Sequence, residues 1–283
     1  TMNLVPWGGP TIRAATALEI SLTDLYNPMI IPQICGLVAG LAISIWFGLR
    51  EKKRLGETLA SITLEPKQLS EEEKALRRPK LFWFNLALIV VTIVSLVVEL
   101  LPPAGCFMAA LAIAMIVNYP NLDLQRKLVD MHAEAALMMS SVLFAAGCFT
   151  GIMSNSGMLT AMAEGLISIL PQSVASHFAF ALGITSMPLS LLFDPDSFYY
   201  AVLPVLAAAG ETAGVAAVAM ARAAICGQIT VGFPISPLTP STFLLTGLSG
   251  VDLGDHQKHS FLPLWIVSLT IVLVAVIMGV IPV

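Results

Sequence analysis

The sequence GFPISPLTP, at residues 232–240, interrupts a long apolar stretch, and a second interruption, WGGPT at residues 7–11, stands near the start of the chain. Proline lacks the N–H group that an α-helix needs, so both stretches stop a helix. Where lipid is the surrounding solvent, such non-helical backbone persists only if protein or a water-filled cavity encloses it. The two interruptions therefore predict broken helices inside a membrane protein.

The composition indicates that lipid is the solvent. Of the 283 residues, 57% are hydrophobic and only 11% are charged, whereas soluble domains are about 25% charged. The formal net charge of −4 argues against a nucleic-acid partner, which would favour a basic surface.

Uncharged runs along the chain are long enough for membrane-spanning helices, which take about 20 apolar residues each. These runs lie at residues 28–49, 81–98, 104–122, 135–154 and 261–283. The polar sequence SNSG ends the fourth run, and we expect a short external helix at 157–170 to follow it.

Residues 176–209 predict a re-entrant hairpin. Apolar arms flank the sequence FDPDSF at 193–198, and the second arm is too short to cross the bilayer. After the hairpin, residues 212–231 indicate a helix that crosses only halfway and stops at the break 232–240. A short helix at 241–249 then resumes the crossing.

The distribution of positive charge orients the chain. Nine of the fourteen Lys and Arg residues lie between residues 50 and 80. By the positive-inside rule this polar loop is cytoplasmic. Alternating crossings from there place the C-terminus outside, in a multi-pass protein of the cell membrane.

The two interruptions have similar surroundings. Pro10 is followed six residues later by Thr16, and Pro240 six residues later by Thr246; an aspartate and an apolar span follow both. Four full spans and two half-crossings, equal to five crossings, separate the two copies. Because five is an odd number, the second copy is inverted in the membrane relative to the first. Inverted repeats with paired broken helices are typical of secondary transporters. The alternative is a chance similarity of two Pro/Thr-rich loops.

We therefore expect an all-α membrane protein built as an inverted-repeat transporter with broken helices and a re-entrant hairpin. Residues 1–49 would end the first repeat, 50–80 would be a cytoplasmic linker, and 81–283 would form the second repeat. The second repeat would consist of scaffold spans at 81–154, the external helix, the hairpin, the broken helix at 212–249 and the last span.

Broken helices supply groups that bind ions. Helix N-termini attract anions through their N–H groups, and freed carbonyls attract cations. The candidate substrate-binding residues in the two interruptions are Asn3, Gly8, Gly9, Thr11, Ser236, Thr239, Ser241 and Thr242. The alternative is that both are structural kinks in which hydroxyl groups bind local carbonyls.

Charged residues inside apolar segments are further candidates, because charge at membrane depth is costly. Asp194 and Asp196 at the hairpin tip are candidates for the coupling proton, since a carboxylate that loses its water holds a proton more readily. Asp196 and its neighbour Ser197 are also candidates for substrate binding. The guanidinium of Arg222 suits a substrate carboxylate, as does that of Arg13; the alternatives are structural pairs and solvated turn residues.

Four stretches together resemble the motifs of a known transporter family. NLVPWGGPTIRA at residues 3–14 resembles a signature of the family's first half, and DSFYYAVLPVL at 196–206 its second hairpin. ARA at 221–223 with SPLTPSTFLL at 236–245 resembles its second broken helix, and GVDLGDHQK at 250–258 also matches. The family is the citrate–metal:proton symporters, within the ion-transporter superfamily.

The resemblance implies uptake of citrate complexed with a divalent metal, Mg²⁺ or Ca²⁺, in symport with protons. The metal would arrive with the substrate, and no permanently bound cofactor is implied. The resemblance further implies a scaffold, a mobile transport domain that moves as an elevator, and a homodimer in the lipid bilayer. It also implies that the chain is N-terminally truncated relative to the family.

Two other interpretations stay open. The same fold could carry another organic anion, such as gluconate or a dicarboxylate, or exchange a cation for protons. A membrane-embedded enzyme or structural subunit belongs to a different class. The sequence has no phosphate loop, nucleophile elbow or zinc-protease motif, so we expect a transporter and not an enzyme.

Overall fold

The computed structural model describes residues 7–56, 77–98, 100–169 and 177–283. These residues form helices and turns, with no strand among them. The helices are α1 Gly9–Ala17, α2 Leu22–Tyr26, α3 Ile30–Leu55, α4 Phe82–Val97, α5 Pro103–Asn118, α6 Leu122–Asn155, α7 Met158–Ile169, α8 Phe178–Leu189, α9 Pro195–Ser197, α10 Leu203–Thr212, α11 Ala217–Ile225, α12 Pro240–Ser249 and α13 Leu253–Ile277.

Several helices expose large apolar side chains, which suits a lipid environment. Within the described residues, the segments Leu22–Leu55, Pro79–Leu96 and Leu253–Ile277 are long and apolar enough to cross a membrane. Trp83 on α4 is 77% exposed and Ile277 on α13 is 75% exposed, although both are apolar. The structure thus confirms the coarse prediction of a helical membrane protein.

Helix α11 lies at the centre of one compact unit, formed by Thr1–Leu59 and Leu143–Val283. All but a few of its residues are buried, and α1, α2, α8 and α10 pack around it. Alanine predominates in its sequence, AVAMARAAI. Small side chains allow neighbouring helices to approach closely. In lipid, the van der Waals contacts made at such close range stabilise helix packing, because the hydrophobic effect does not act between helices there.

Helices α3 and α13 pack against each other through a glycine on α3. A Cβ atom at Gly36 would overlap the buried side chain of Ile271, lying 2.7 Å from its Cδ1 atom. By contrast, a Cβ atom at Gly48, further along α3, would meet no atom within 4 Å. The first half of α3 is therefore closely packed against α13 at Gly36, whereas Gly48 in its second half has space beside it.

The other compact unit, Ala60–Val142, contains α4, α5 and the first part of α6. The side-chain amides of Asn85 and Asn118 each donate to the other's oxygen at 2.8 Å. Arg78 Nε donates to the backbone carbonyl of Asn118 at 3.0 Å, and its guanidinium lies 4.8 Å from the centre of the Tyr119 ring. Polar contacts thus join the ends of α4 and α5.

Two helices begin well before the apolar runs that they contain. Helix α6 begins at Leu122, ahead of the run at 135–154, and the Asn121 side chain accepts a hydrogen bond from the N–H of Asp123 at 2.8 Å. Helix α13 begins at Leu253, ahead of the run at 261–283, and Asp252 caps it by accepting from the N–H of Gly254 at 2.8 Å.

The expected half-crossing helix at 212–231 is shorter in the structure. Helix α10 continues through Thr212 and ends before Gly214, which has a φ of +85°. Helix α11 then starts at Ala217 and ends at Ile225, and turns follow it. In these turns Gly227 lies so close to α8 that a Cβ atom would overlap Ser186 and come within 2.5 Å of the Met187 nitrogen, so the position requires glycine.

The close approach at Gly36 gives a stability prediction. Gly36→Ala should lower the apparent melting temperature of the purified full-length protein, because the added methyl group overpacks the contact with Ile271, at a cost of about 1–3 kcal/mol. Gly48→Ala is the matched control on the same helix. It should leave the melting temperature unchanged or raise it, since alanine is the better helix former. Equal effects of the two substitutions would contradict the α3–α13 contact.

Candidate functional site

An ion pair joins the first interruption to the hairpin tip. Arg13 Nε, on α1, donates to Asp196 Oδ1, on α9, at 2.7 Å. The two residues are 183 positions apart in the sequence. The Arg13 side chain is only 15% exposed, whereas that of Asp196 is 40% exposed. The guanidinium is therefore largely enclosed while the carboxylate still reaches solvent.

The N-terminal turn of α1 surrounds this ion pair. Gly9 begins the helix, and a Cβ atom there would lie 2.9 Å from Arg13 Nη1. Glycine at this position therefore gives the guanidinium room to lie against the first turn. Thr11 is fully buried in the same turn, and its hydroxyl oxygen has no hydrogen-bond partner among the described residues. The turn thus offers N–H groups, a cation and an available hydroxyl close together.

Asp194 shapes the hairpin tip. Its Oδ1 atom accepts from the backbone N–H groups of Asp196 and Ser197 at 2.8 Å each, and its Oδ2 atom accepts from the Ser197 hydroxyl at 2.6 Å. Asp194 is thus the N-cap of α9, and it holds Asp196 in place. A π-helical turn, Phe198–Val202, follows, a distortion that often marks functional sites.

Arg222 lies at a different junction. Its Nη2 atom donates to the backbone carbonyl of Asp24 at 2.6 Å, which holds α2 against α11. Its Nε atom is buried and has no hydrogen-bond partner within the described part of the chain. A structural pair with an acidic residue was the alternative for Arg222, and Glu211 is the candidate near it in sequence, but the hydrogen bonds and ion pairs of the described residues do not join the two.

The turn after α11 is bound by side chains from other helices. Gln33 on α3 donates to the carbonyl of Ile225 at 3.4 Å, and Ser268 on α13 donates to that of Cys226 at 3.4 Å. The hydroxyl of Tyr199 donates to the carbonyl of Gln228 at 2.9 Å. These contacts satisfy carbonyls that the end of α11 leaves without helical partners.

The carbonyls of the second interruption also have donors. The hydroxyls of Thr239 and Thr242 donate to the carbonyl of Phe233 at 2.9 Å and 2.8 Å. His256 Nε2 lies 2.9 Å from the Pro234 carbonyl, and Gln257 Nε2 donates to the Ile235 carbonyl at 2.8 Å. Three consecutive carbonyls of this interruption therefore each bind a protein donor.

Ile229 has a strained backbone. Its φ is +54°, a conformation that β-branched residues rarely adopt. The hydroxyl of Ser190, at the end of α8, accepts from its N–H at 2.9 Å and holds it there. The neighbouring Gln228 donates from Nε2 to the carbonyl of Phe193 at 3.3 Å. The hairpin thus fixes the start of the second break, in the strained form often found at functional sites.

The structure brings some of the predicted site residues together and separates others. Gly8, Gly9 and Thr11 share the first turn of α1 with Arg13, which contacts the hairpin tip. Ser236, Thr239 and Thr242 are buried in the second interruption, and their described bonds stay within it. Ser241 is exposed. Asn3 lies outside the described residues.

Several polar residues that were not among the predicted site residues form hydrogen bonds with backbone groups in or next to the helix breaks. These are Gln33, Ser190, Tyr199, Gln228, His256, Gln257 and Ser268. The buried glutamines could have been found, because an amide inside an apolar run is itself unusual. Serine and tyrosine are too common in membrane helices to give such a signal.

Paired helix interruptions, a hairpin whose tip forms an ion pair, and long helices with apolar exteriors together define a membrane transporter. The family model described as "Citrate transporter", CitMHS, matches residues 1–227. The chain belongs to this family, which is one of transporters and not of enzymes. The resemblance noted in the motifs is thereby confirmed.

Relatives of this family occur in Bacillus subtilis (strain 168). One, named "Citrate transporter", is 41% identical over 99% of this chain and 65% of its own length. Another, named "Mg(2+)/citrate complex secondary transporter", is 39% identical over 97% of this chain and 63% of its own length. A third, "Uncharacterized transporter YraO", is 31% identical over 98% of this chain and 64% of its own length. The chain thus spans just under two thirds of these relatives, and no solved structure is significantly similar to it.

The capping role of Asp194 can be tested by stability. Asp194→Ala removes three hydrogen bonds from the hairpin tip and should destabilise the full-length protein by about 1 kcal/mol. Asp194→Asn should stay close to the unsubstituted protein, because asparagine is an equally good N-cap. Thermal unfolding of the purified protein measures both. A stable Ala variant would show that the cap is dispensable.

Proposed function

We propose that the full-length protein is a secondary active transporter that takes up citrate complexed with Mg²⁺ or Ca²⁺ together with protons. The Arg13–Asp196 ion pair carries the proposal. It puts a carboxylate that can take up a proton beside a guanidinium that can bind a substrate carboxylate. The printed name of one relative, a Mg²⁺/citrate complex secondary transporter, supports the same cargo here.

The ion pair suggests how proton and substrate binding are coupled. In the empty site the carboxyl group of Asp196 accepts from Arg13 and thereby occupies its guanidinium. A proton on Asp196 removes its charge and releases the guanidinium. An unpaired guanidinium that is only 15% exposed is unfavourable, so a substrate carboxylate takes the place of Asp196. Proton and substrate therefore each bind more tightly in the presence of the other.

The substrate fits the charge of this site. A citrate trianion with one divalent cation carries one net negative charge, and some of its carboxylate oxygens point away from the metal. Arg13 and the N-terminal N–H groups of α1 suit those oxygens. The unpartnered hydroxyl of Thr11 can join the same ligand. Because the metal is already held by citrate, the site needs no metal ligands of its own.

The candidate charged residues divide between two roles. We assign the proton to Asp196 and not to Asp194, because both oxygens of Asp194 already accept hydrogen bonds from the hairpin tip. We assign the substrate carboxylate to Arg13 and not to Arg222, which is bound to the carbonyl of Asp24. Ser236, Thr239 and Thr242 have a structural role in this proposal, because their side-chain hydrogen bonds stabilise the second interruption.

We also propose the inverted repeat, an elevator-type movement and a homodimer for the full-length protein, with the loop at 50–80 in the cytoplasm. Helices α1 and α12 support the repeat, because each is a short helix with proline in its first turn. A long apolar helix follows each of them, α3 in one case and α13 in the other, and these two pack together.

Transport of labelled citrate tests the cargo. Cells or proteoliposomes with the full-length protein should take up citrate only with Mg²⁺ or Ca²⁺ present, and a protonophore should abolish accumulation. Citrate uptake at the same rate with and without the metal would contradict transport of the metal–citrate complex. Stronger competition by gluconate or a dicarboxylate than by citrate would indicate another organic anion, and metal–proton exchange without citrate would indicate an antiporter.

Substitution of the hairpin aspartates tests the coupling. Asp196→Asn imitates the protonated carboxyl group, so proton-driven accumulation should fall at least about tenfold. Exchange of labelled for unlabelled citrate across the membrane should persist, because exchange needs no release of the proton. Asp194→Asn should retain both activities, since asparagine still caps α9.

Arg13→Gln completes this set of variants. It removes the guanidinium and should reduce both accumulation and exchange, through a loss of about 10- to 100-fold in apparent affinity for the complex. Full accumulation by Asp196→Asn, or equal losses in Asp194→Asn and Asp196→Asn, would overturn the assignment of the proton.

A further inference from the structure

A groove of about 500 Å³ lies between the second half of α3 and the first half of α13. Its polar end is lined by Arg50 and Lys258, with His259 beside them. The Arg50 guanidinium lies 5.8 Å from the centre of the Trp46 ring, and the rings of Phe47 and His259 are 5.0 Å apart. Two cations and three aromatic rings thus stand at one end of two long apolar helices.

The cations at this end are only weakly neutralised. Arg50 forms no ion pair with any described residue. Lys258 is 84% exposed, and its nearest described carboxylate oxygen, on Asp255, is 3.9 Å away. The one acidic residue in the groove lining, Glu51, already accepts from Arg54 at 2.7 Å. The groove therefore presents net positive charge to a ligand.

The rest of the groove is apolar. Ile43 lines it from α3, and Leu262 and Ile266 line it from α13. Leu262 is 58% exposed and Ile266 is 45% exposed. Both helices belong to segments long and apolar enough to cross a membrane. A hydrocarbon chain along this surface would cover apolar area while the charged end stays at the level of lipid headgroups.

We propose that this groove binds an anionic phospholipid. Arg50 and Lys258 hold the phosphate and its anionic headgroup, and the first part of an acyl chain lies along Ile43, Leu262 and Ile266. Basic pockets between membrane helices bind such headgroups. A free phosphate would leave the apolar part of the groove uncovered, and a zwitterionic lipid would leave the cations unbalanced. The charge and the apolar surface together therefore select the anionic lipid.

Native mass spectrometry of the full-length protein tests the site. Phosphatidylglycerol and phosphatidylcholine with identical acyl chains are added in equal amounts to the detergent-purified protein. We expect phosphatidylglycerol to be retained over phosphatidylcholine. Arg50→Ala and Lys258→Ala should each weaken phosphatidylglycerol binding about fivefold. Ile266→Trp fills the apolar part of the groove and should weaken binding without changing any charge.

Lys53→Ala is the matched control. Lys53 is in the last turn of α3 and outside the groove lining, so its loss removes one positive charge from the same helix end and should leave retention unchanged. Gel filtration and the melting temperature establish that every variant is folded. Equal retention of the two lipids, or equal effects of Arg50→Ala and Lys53→Ala, would overturn the proposal. Retention of neither lipid would also overturn it, because another part of the full-length protein would then cover the groove.

Discussion

Peptide groups freed by a helix break must find partners inside the protein, and this constraint organises the centre of the molecule. Lipid cannot donate to a carbonyl, so an unbound one costs several kcal/mol at membrane depth. The break after α11 meets this constraint with side chains drawn from α3, α12, α13 and the hairpin. The carbonyl and donor pairs are Ile225 with Gln33, Cys226 with Ser268, Gln228 with Tyr199, Phe233 with Thr239 and Thr242, Pro234 with His256, and Ile235 with Gln257.

One consequence concerns the kind of ligand that the site can bind. Three carbonyls of the second interruption are bound by protein donors, and the first interruption presents a guanidinium, N–H groups and the Thr11 hydroxyl, which has no described partner. Such groups favour an anion over a bare metal ion. A metal already wrapped by citrate presents carboxylate oxygens on its outside. The chemistry of the break and the proposed substrate therefore agree.

A second consequence concerns movement. The hairpin contacts Arg13, beside the first interruption, through Asp196, and it contacts the turns before the second interruption through Phe193 and Ser190. One hairpin thus connects the surroundings of both interruptions. The strained backbone at Ile229 lies within the same set of contacts. Under the proposed mechanism, protonation and substrate binding both act on this one hairpin.

The sequence alone determined that the protein lies in lipid and that it belongs to the citrate transporter family. It also determined the positions of both interruptions and of the break at Gly157 between two helices. These features are local: they rest on composition, on proline and glycine, and on runs of apolar residues. Helix ends were less predictable. Asn121 and Asp252 cap helices that begin well before the apolar runs at 135–154 and 261–283, because a side-chain hydrogen bond can extend a helix into a polar stretch.

Only the tertiary structure decided which polar residues meet. From the sequence, both aspartates at the hairpin tip were candidates for the coupling proton. Both arginines near the interruptions were candidates for binding a substrate carboxylate. The structure separates them: Asp194 caps the tip, Arg222 binds a backbone carbonyl, and Arg13 pairs with Asp196 across 183 positions. A contact over that separation depends on how the helices pack around α11. No local pattern encodes it, because the pairing is fixed by the shared burial of distant segments.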